Sequence, residues 1–107
     1  MRKSDAVFLR GEIVEEGMQL SLADLCQACS VREEQVTIWV FEGVLEPTGA
    51  RPPEWRFGGH SLRRARIAMR MARDLEINPP GVALALDLLD QIDRLEVRLI
   101  RGSGGAD

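Results

Sequence analysis

The stretch from residue 21 to residue 45, SLADLCQACSVREEQVTIWVFEGVL, constrains the fold of this chain more than any other part of it. In its first half the apolar residues recur at the spacing of one helical face, at Leu22, Leu25, Cys26 and Cys29. Ser30 then stands where an N-cap belongs, and the turn after it contains Glu33 and Glu34. A second helix ends at Gly43, and its apolar residues are Val36, Trp39 and Val40. Two short helices joined by a tight turn predict a helix-turn-helix.

The second helix carries unusual side chains for a helix that reads DNA. A helix that enters the major groove usually presents Arg, Lys, Asn or Gln to bases and phosphates. Between residues 30 and 43 this helix offers Arg32 and Gln35 against three glutamates, which are Glu33, Glu34 and Glu42. The scaffold therefore favours nucleic acid as a ligand, whereas the surface chemistry disfavours it.

Length and composition predict a single cytoplasmic domain. The 107 residues carry a formal net charge of −3, which disfavours a general polyanion binder. No apolar run approaches the roughly 18 residues of a membrane span, and the N-terminus has no signal-peptide core. Two cysteines without an export signal predict a reducing compartment. We assign residues 1–101 to the domain and the glycine-rich residues 102–107 to a flexible tail.

The charges are distributed unevenly along the chain. Residues 1–50 contain four Lys/Arg and nine Asp/Glu, residues 51–78 contain seven Arg and three acids, and residues 79–107 contain three Arg and five acids. The basic middle segment includes an arginine stripe at Arg63, Arg66, Arg70 and Arg73, with Arg64 beside it. The stripe either binds phosphates or an acidic partner, or forms a solvated face over apolar neighbours. We favour the solvated face.

Two segments before the third helix have β character. Residues 7–14, VFLRGEIV, predict a short strand or an extended arm that Gly11 interrupts. The prolines and the glycine of residues 46–53 predict a turn. A short run with two aromatic residues follows, so that residues 46–57 together predict a β-hairpin wing.

Two further helices complete a predicted fold that is mainly α. A third helix over about residues 59–76 has one apolar face, made by Leu62, Ala65, Met69, Ala72 and Leu75. Asn78 followed by Pro79 is an N-cap followed by proline at the first helical position. This pair predicts the start of a last helix that extends to about Arg101.

The last helix changes character along its length. Residues 82–89 are apolar on nearly all sides, as in a helix packed inside a core. Beyond them the apolar residues narrow to a seam with coiled-coil spacing, which comprises Leu88, Ile92, Leu95 and Leu99. About two heptads are too short to be stable alone. The seam either folds back on the second helix or the wing, or forms a symmetric homodimer, which we favour.

This order of elements resembles the MerR-like winged helix-turn-helix fold, with a long C-terminal dimerisation helix. More narrowly, residues 42–47 (EGVLEP), residues 55–57 (WRF) and residues 81–86 (GVALAL) resemble the CbpM family of chaperone modulators, and the similarity extends over about residues 7–100. The resemblance implies a cytoplasmic protein without enzymatic activity, cofactor or metal, which binds the J domain of the DnaJ-like co-chaperone CbpA. By covering that domain, such a protein inhibits both the action of CbpA on DnaK and the DNA binding of CbpA.

A second interpretation is a MerR-like transcription regulator that binds DNA. In the DNA-binding proteins of the fold that this chain resembles, an Arg follows the apolar residue of the second helix. Here Thr37 follows Val36 instead. Loss of an arginine–phosphate contact lowers the electrostatic part of DNA affinity. In this interpretation the DNA-binding residues are Arg56, Arg63, Arg66 and Arg70. A third interpretation is a dimerising fragment without a bound target.

The motif at residues 26–29, CQAC, is a weak signal for chemistry. A redox pair places its reactive thiol at a helix N-terminus, where the thiol pKa falls, whereas these cysteines lie late in their helix on its apolar face. A zinc site takes about four ligands, and His60 is the single histidine of the chain. We favour core packing of both cysteines. No arrangement of residues indicates an enzyme.

A J domain presents a strongly basic surface, so its partner surface should be acidic with apolar residues among the charges. The first candidate is an edge of the last helix that comprises Asp87, Asp90 and Asp93. The second candidate lies on the second helix and comprises Glu33, Glu34 and Glu42. Plain solvation is the alternative for both sets. We favour the aspartate edge, because it places three acids beside so apolar a helix.

Overall fold

The computed structural model describes the backbone of residues 6–9, 12–15 and 17–105, and the side chains of residues 17–102. Two strands come first, β1 at Ala6–Leu9 and β2 at Glu12–Glu15. Four helices follow, which are α1 at Leu22–Cys29, α2 at Glu33–Phe41, α3 at Gly59–Asp74 and α4 at Pro79–Gly105. The prediction of a mainly helical chain that contains a helix-turn-helix is therefore confirmed.

The turn between α1 and α2 differs from its prediction. Ser30 is not the N-cap of α2: it ends α1 in the left-handed conformation, with φ of 56°, and its backbone N–H donates to the Cys26 carbonyl. The N-cap of α2 is Arg32, which contributes no side-chain capping hydrogen bond. The chain must reverse direction before a second helix begins, and a residue at positive φ provides that reversal. A side-chain cap does occur at Ser21, whose Oγ accepts from the Asp24 N–H at 3.1 Å.

The predicted β-hairpin wing is wrong. Residues 46–57 contain no strand; Thr48 and Arg56 form a single isolated bridge, and a 3₁₀ turn occupies Pro52–Glu54. Two adjacent prolines remove two backbone donors at the point where a strand ladder would extend. The bridge closes a loop that contains Trp55, and Phe57 forms a second isolated bridge with Leu20. Both aromatic side chains are buried in the core, with ring centroids 6.0 Å apart. Packing of these rings therefore shapes the segment more than strand pairing does.

The N-terminal segment forms two strands where the sequence predicts one strand or an arm. β1 and β2 are antiparallel, and Phe8 pairs with Ile13 in their register. Arg10 and the predicted interruption at Gly11 lie outside the described residues.

The core lies where all four helices and the loop after α2 meet, and its α1 and α2 residues are Leu25, Cys29, Val36 and Trp39. On α3 the buried apolar residues are Leu62, Ala65 and Ala68, and on α4 they are Val82 and Leu86. The predicted apolar face of α3 extends too far, because the helix ends at Asp74 and Leu75 is 68% exposed. Small residues on α3 allow α4 to approach closely, which fixes the direction of the long helix.

The start of α4 agrees with its prediction. Asn78 Oδ1 accepts a hydrogen bond from the Gly81 N–H at 2.8 Å, and Pro79 is the first helical residue. The helix has 27 residues and is therefore about 40 Å long. It reaches Gly105, beyond the predicted end near Arg101, while residues 106 and 107 lie outside the described residues.

Among the described residues, no helix combines the length and the apolar character that crossing a membrane requires.

Candidate interaction surfaces

One arginine of the third helix is a buried structural residue. Only 10% of the Arg64 side chain is exposed. Its Nε donates to the Val44 carbonyl at 2.6 Å, its Nη1 donates to Asp90 Oδ2 at 2.5 Å, and its Nη2 lies 3.4 Å from Asp87 Oδ1. The guanidinium therefore joins α3 to α4 and to the segment that follows α2.

The sequence predicted that Arg64 is solvated like the arginine stripe beside it, but Arg64 is buried. The helical spacing contained the correct signal, because Arg64 lies on the same face as Ser61, Ala65 and Ala68, all of them buried. Burial of a guanidinium costs free energy unless carboxylates or carbonyls accept its hydrogen bonds. The acids of α4 provide that environment.

The aspartate edge of α4 is consequently divided between two roles. Asp90 is two-thirds covered and pairs with Arg64, whereas Asp87 is 69% exposed and its contact with Arg64 is long. Asp93 is exposed and lines a cavity of about 240 Å³ between α3 and α4, together with His60 and Arg63. The negative charge of Asp90, which the sequence analysis assigned to partner binding, is therefore paired with Arg64 within the chain.

The predicted seam of α4 is uncovered. Its four residues, Leu88, Ile92, Leu95 and Leu99, are 50%, 50%, 54% and 70% exposed. Leu84, one turn before them, is exposed as well. The described residues place nothing of this chain over the seam, so the alternative in which it folds back on α2 or on the loop after it is wrong.

The outward face of α2 combines apolar and acidic side chains. Glu34, Ile38 and Phe41 lie at positions i, i+4 and i+7, so they form one line along the helix. Phe41 is the most exposed large apolar residue that the structure describes, at 84%, and Ile38 is 43% exposed. A surface depression of about 410 Å³ is lined by Val31, Arg32, Glu34, Gln35 and Ile38. Sequence reasoning identified the glutamates of this face but missed its apolar residues.

Thr37, which stands where DNA-binding proteins of this fold would have a phosphate-binding arginine, forms a hydrogen bond within its own helix. The Thr37 hydroxyl donates to the Glu33 carbonyl at 2.9 Å. Of the basic residues assigned to a DNA interface, Arg56 is exposed but its Nη1 donates to the Trp55 carbonyl at 2.7 Å. The others, Arg63, Arg66 and Arg70, are half-buried on α3.

The two cysteines pack as expected. Cys29 is buried in the core and Cys26 is half-buried. Burial, followed by the carboxylates of Glu33 and Glu34, raises the pKa of the Cys26 thiol. A raised thiol pKa is the opposite of what a redox nucleophile requires.

Comparison with known proteins shows extensive similarity. Residues 20–101 match the family described as MerR HTH family regulatory protein. The chaperone modulatory protein CbpM of Coxiella burnetii (strain Dugway 5J108-111) is 45% identical over 91 residues, which cover 85% of this chain and 86% of that protein. The protein of the same name in Pseudomonas putida (strain W619) is 37% identical over 78 residues, which cover 73% of this chain and 77% of the relative.

Proposed function

Because the chain belongs to the CbpM family of chaperone modulatory proteins and to the MerR helix-turn-helix family, we propose that it binds the J domain of a CbpA-like co-chaperone. Bound there, it inhibits both the stimulation of DnaK by that co-chaperone and the DNA binding of the co-chaperone. The proposal includes a cytoplasmic location, where DnaK and its co-chaperones act. It also includes a role without catalysis, since modulation by binding requires a complementary surface rather than a reactive group.

The similarity to proteins named as chaperone modulators, over 85% of this chain, is the observation that carries the proposal. The surface chemistry supports it. A basic domain binds best to a surface on which carboxylates surround apolar side chains. Two such surfaces exist, the outward face of α2 with Glu33, Glu34 and Glu42, and the aspartate edge with Asp87, Asp90 and Asp93.

We further propose that the chain acts as a homodimer through the seam of α4. Burial of a large apolar side chain contributes about 1.5–3 kcal/mol. Because the seam residues are between 50% and 70% exposed, dimerisation would gain about 1–2 kcal/mol from each of them. Leu84 extends the same exposed surface toward the globular part. The sum is comparable with a substantial part of the cost of association.

DNA binding is the second candidate function, and the match to a family of helix-turn-helix regulatory proteins favours it. The exposed side chains of α2 oppose it. Carboxylates at Glu33, Glu34 and Glu42 repel phosphates, and Thr37 supplies no charge. We expect no retardation of duplex DNA in gels at physiological salt. Sequence-specific retardation that weakens steeply with added salt would favour the regulator instead.

Two measurements test the modulator function. Titration calorimetry of the chain into a purified J domain at low salt should give a saturable heat, because complementary charges attract most strongly there. A steady-state assay of DnaK with the co-chaperone should show falling ATPase stimulation as the chain is added, while the basal ATPase of DnaK alone stays constant. Absence of heat together with unchanged stimulation at excess chain would refute the proposal.

A further inference from the structure

Within residues 17–102, whose side chains the structure describes, the outward face of α2 lies outside the core. Its core side holds Val36 and Trp39, both buried, whereas Glu34, Ile38 and Phe41 point away from the core. Exposure of 84% leaves nearly all of the Phe41 ring in water, although burying it against a partner would be strongly favourable. Contiguous exposed apolar residues with a polar rim mark interaction sites more often than solvated surface.

The charges around these apolar residues select the kind of partner. From residue 31 to residue 42 the segment holds three glutamates and one arginine, a balance of −2. Glu34 and Ile38 both line the depression, and Glu42 follows Phe41 directly in the sequence. A surface of this kind repels nucleic acid and attracts a partner that interleaves apolar and basic side chains.

The aspartate edge is a less suitable binding surface for such a partner than the outward face of α2. Asp90 already pairs with Arg64, and Asp93 shares its cavity with Arg63 and His60. A cation that approached Asp90 would compete with a guanidinium that also donates to the Val44 carbonyl. The edge also lacks an exposed aromatic residue, which commonly anchors a protein interface.

We propose that the outward face of α2 binds a basic amphipathic helix of a partner protein. In this arrangement the apolar side of that helix covers Ile38 and Phe41, and its Lys or Arg side chains pair with Glu34 and Glu42. One partner side chain enters the depression lined by Val31 and Gln35. The inference rests on the proposed function only in naming the J domain as the protein that supplies this helix. The seam of α4 lies on another helix, so the same chain can dimerise and bind.

The test uses surface variants of the full chain and their effect on J-domain affinity. Phe41→Ser and Glu34→Lys should each weaken binding about tenfold, the loss typical of a central interface residue. Leu75→Ser and Glu46→Lys are matched controls, because they change a leucine that is 68% exposed and an exposed glutamate elsewhere and should alter affinity less than about twofold. Asp93→Lys tests the aspartate edge. Circular dichroism and thermal unfolding verify that every variant folds like the parent.

The outcomes separate this inference from the proposed function. If the parent chain binds the J domain and only the α2 variants lose affinity, the inference is supported. Unchanged affinity of both α2 variants, with loss in Asp93→Lys, overturns it and leaves the proposed function intact. If the parent binds no J domain, the proposed function fails, and a synthetic helix with Leu on one face and Lys on the other becomes the probe. Binding of that peptide by the parent but not by Phe41→Ser sustains the inference, and absence of binding overturns it.

Discussion

Arg64 and Asp90 connect the third and fourth helices at a distance of 2.5 Å, between guanidinium Nη1 and carboxylate Oδ2. The same guanidinium donates to the Val44 carbonyl at 2.6 Å, so three segments of the chain meet at one side chain. Because α4 carries the exposed seam, this contact and the packing of α4 on the small residues of α3 together set the direction in which the seam leaves the core. Sequence reasoning assigned Asp90 to partner binding, whereas the structure gives it this internal contact.

We predict that the contacts of Arg64 contribute unequally to stability. Arg64→Met should lower the free energy of unfolding by about 2–3 kcal/mol, because it removes charge-assisted hydrogen bonds and leaves the Val44 carbonyl without its donor. Asp90→Asn should cost about 1–2 kcal/mol, since the amide still accepts but lacks charge. Asp87→Asn should cost less than about 0.5 kcal/mol, because that aspartate is largely exposed. Urea denaturation measures all three, and equal losses at the two aspartates would contradict this assignment.

We predict that the double substitution Ile92→Asp, Leu95→Asp yields a folded monomer. Both residues lie in the exposed seam and outside the buried core, so charges there should disrupt association without unfolding the helix-turn-helix. Sedimentation velocity measures whether the variant is a monomer, and circular dichroism measures whether it is folded. Asp87→Asn is a suitable control, because it lies on the same helix beside the seam. A parent chain that sediments as a monomer at micromolar concentration would exclude the dimer.

We predict different effects of alanine at two glycines that both have positive φ. Gly43 has φ of 82° and open space around the position of a Cβ atom, so Gly43→Ala should cost only the left-handed backbone strain, about 1 kcal/mol. At Gly49, with φ of 101°, a Cβ would collide with the Glu54 carbonyl, so Gly49→Ala should cost about 3 kcal/mol. Thermal unfolding of both variants measures the difference. Similar melting temperatures would show that the loop before Trp55 rearranges freely.

We predict that the carboxylates at the start of α2 slow the alkylation of Cys26. Burial and then Glu33 and Glu34 raise the pKa of this thiol, so the thiolate fraction at any pH below that pKa is smaller than in an unfolded chain. The double substitution Glu33→Gln, Glu34→Gln removes two negative charges, lowers the pKa and should accelerate alkylation. Iodoacetamide labelling followed by peptide mass spectrometry gives the rate at Cys26 itself. Glu42→Gln, at the other end of α2, is the control and should leave the rate unchanged.

The sequence by itself determined the elements whose signals are local. The stripe from Leu22 to Cys29 and the Asn78-Pro79 start predicted α1 and the beginning of α4 correctly, because periodicity and capping act over a few residues. Resemblance at residues 42–47, 55–57 and 81–86 indicated the family, and comparison with known proteins confirmed it. The location of the J-domain contact and the homodimer stay predictions.

Tertiary structure decided what depends on contacts between distant segments. Trp55 and Phe57 entered the core and left a single bridge where a wing hairpin was predicted, because burial of two aromatic rings outweighs a short strand ladder that prolines interrupt. Arg64 joined the buried face because acids 23 and 26 residues further along the chain come within its reach. The same folding left Ile38 and Phe41 in water, since only one side of α2 can face the core. Sequence spacing marks which residues share a face, but the packing of other helices decides which face is covered.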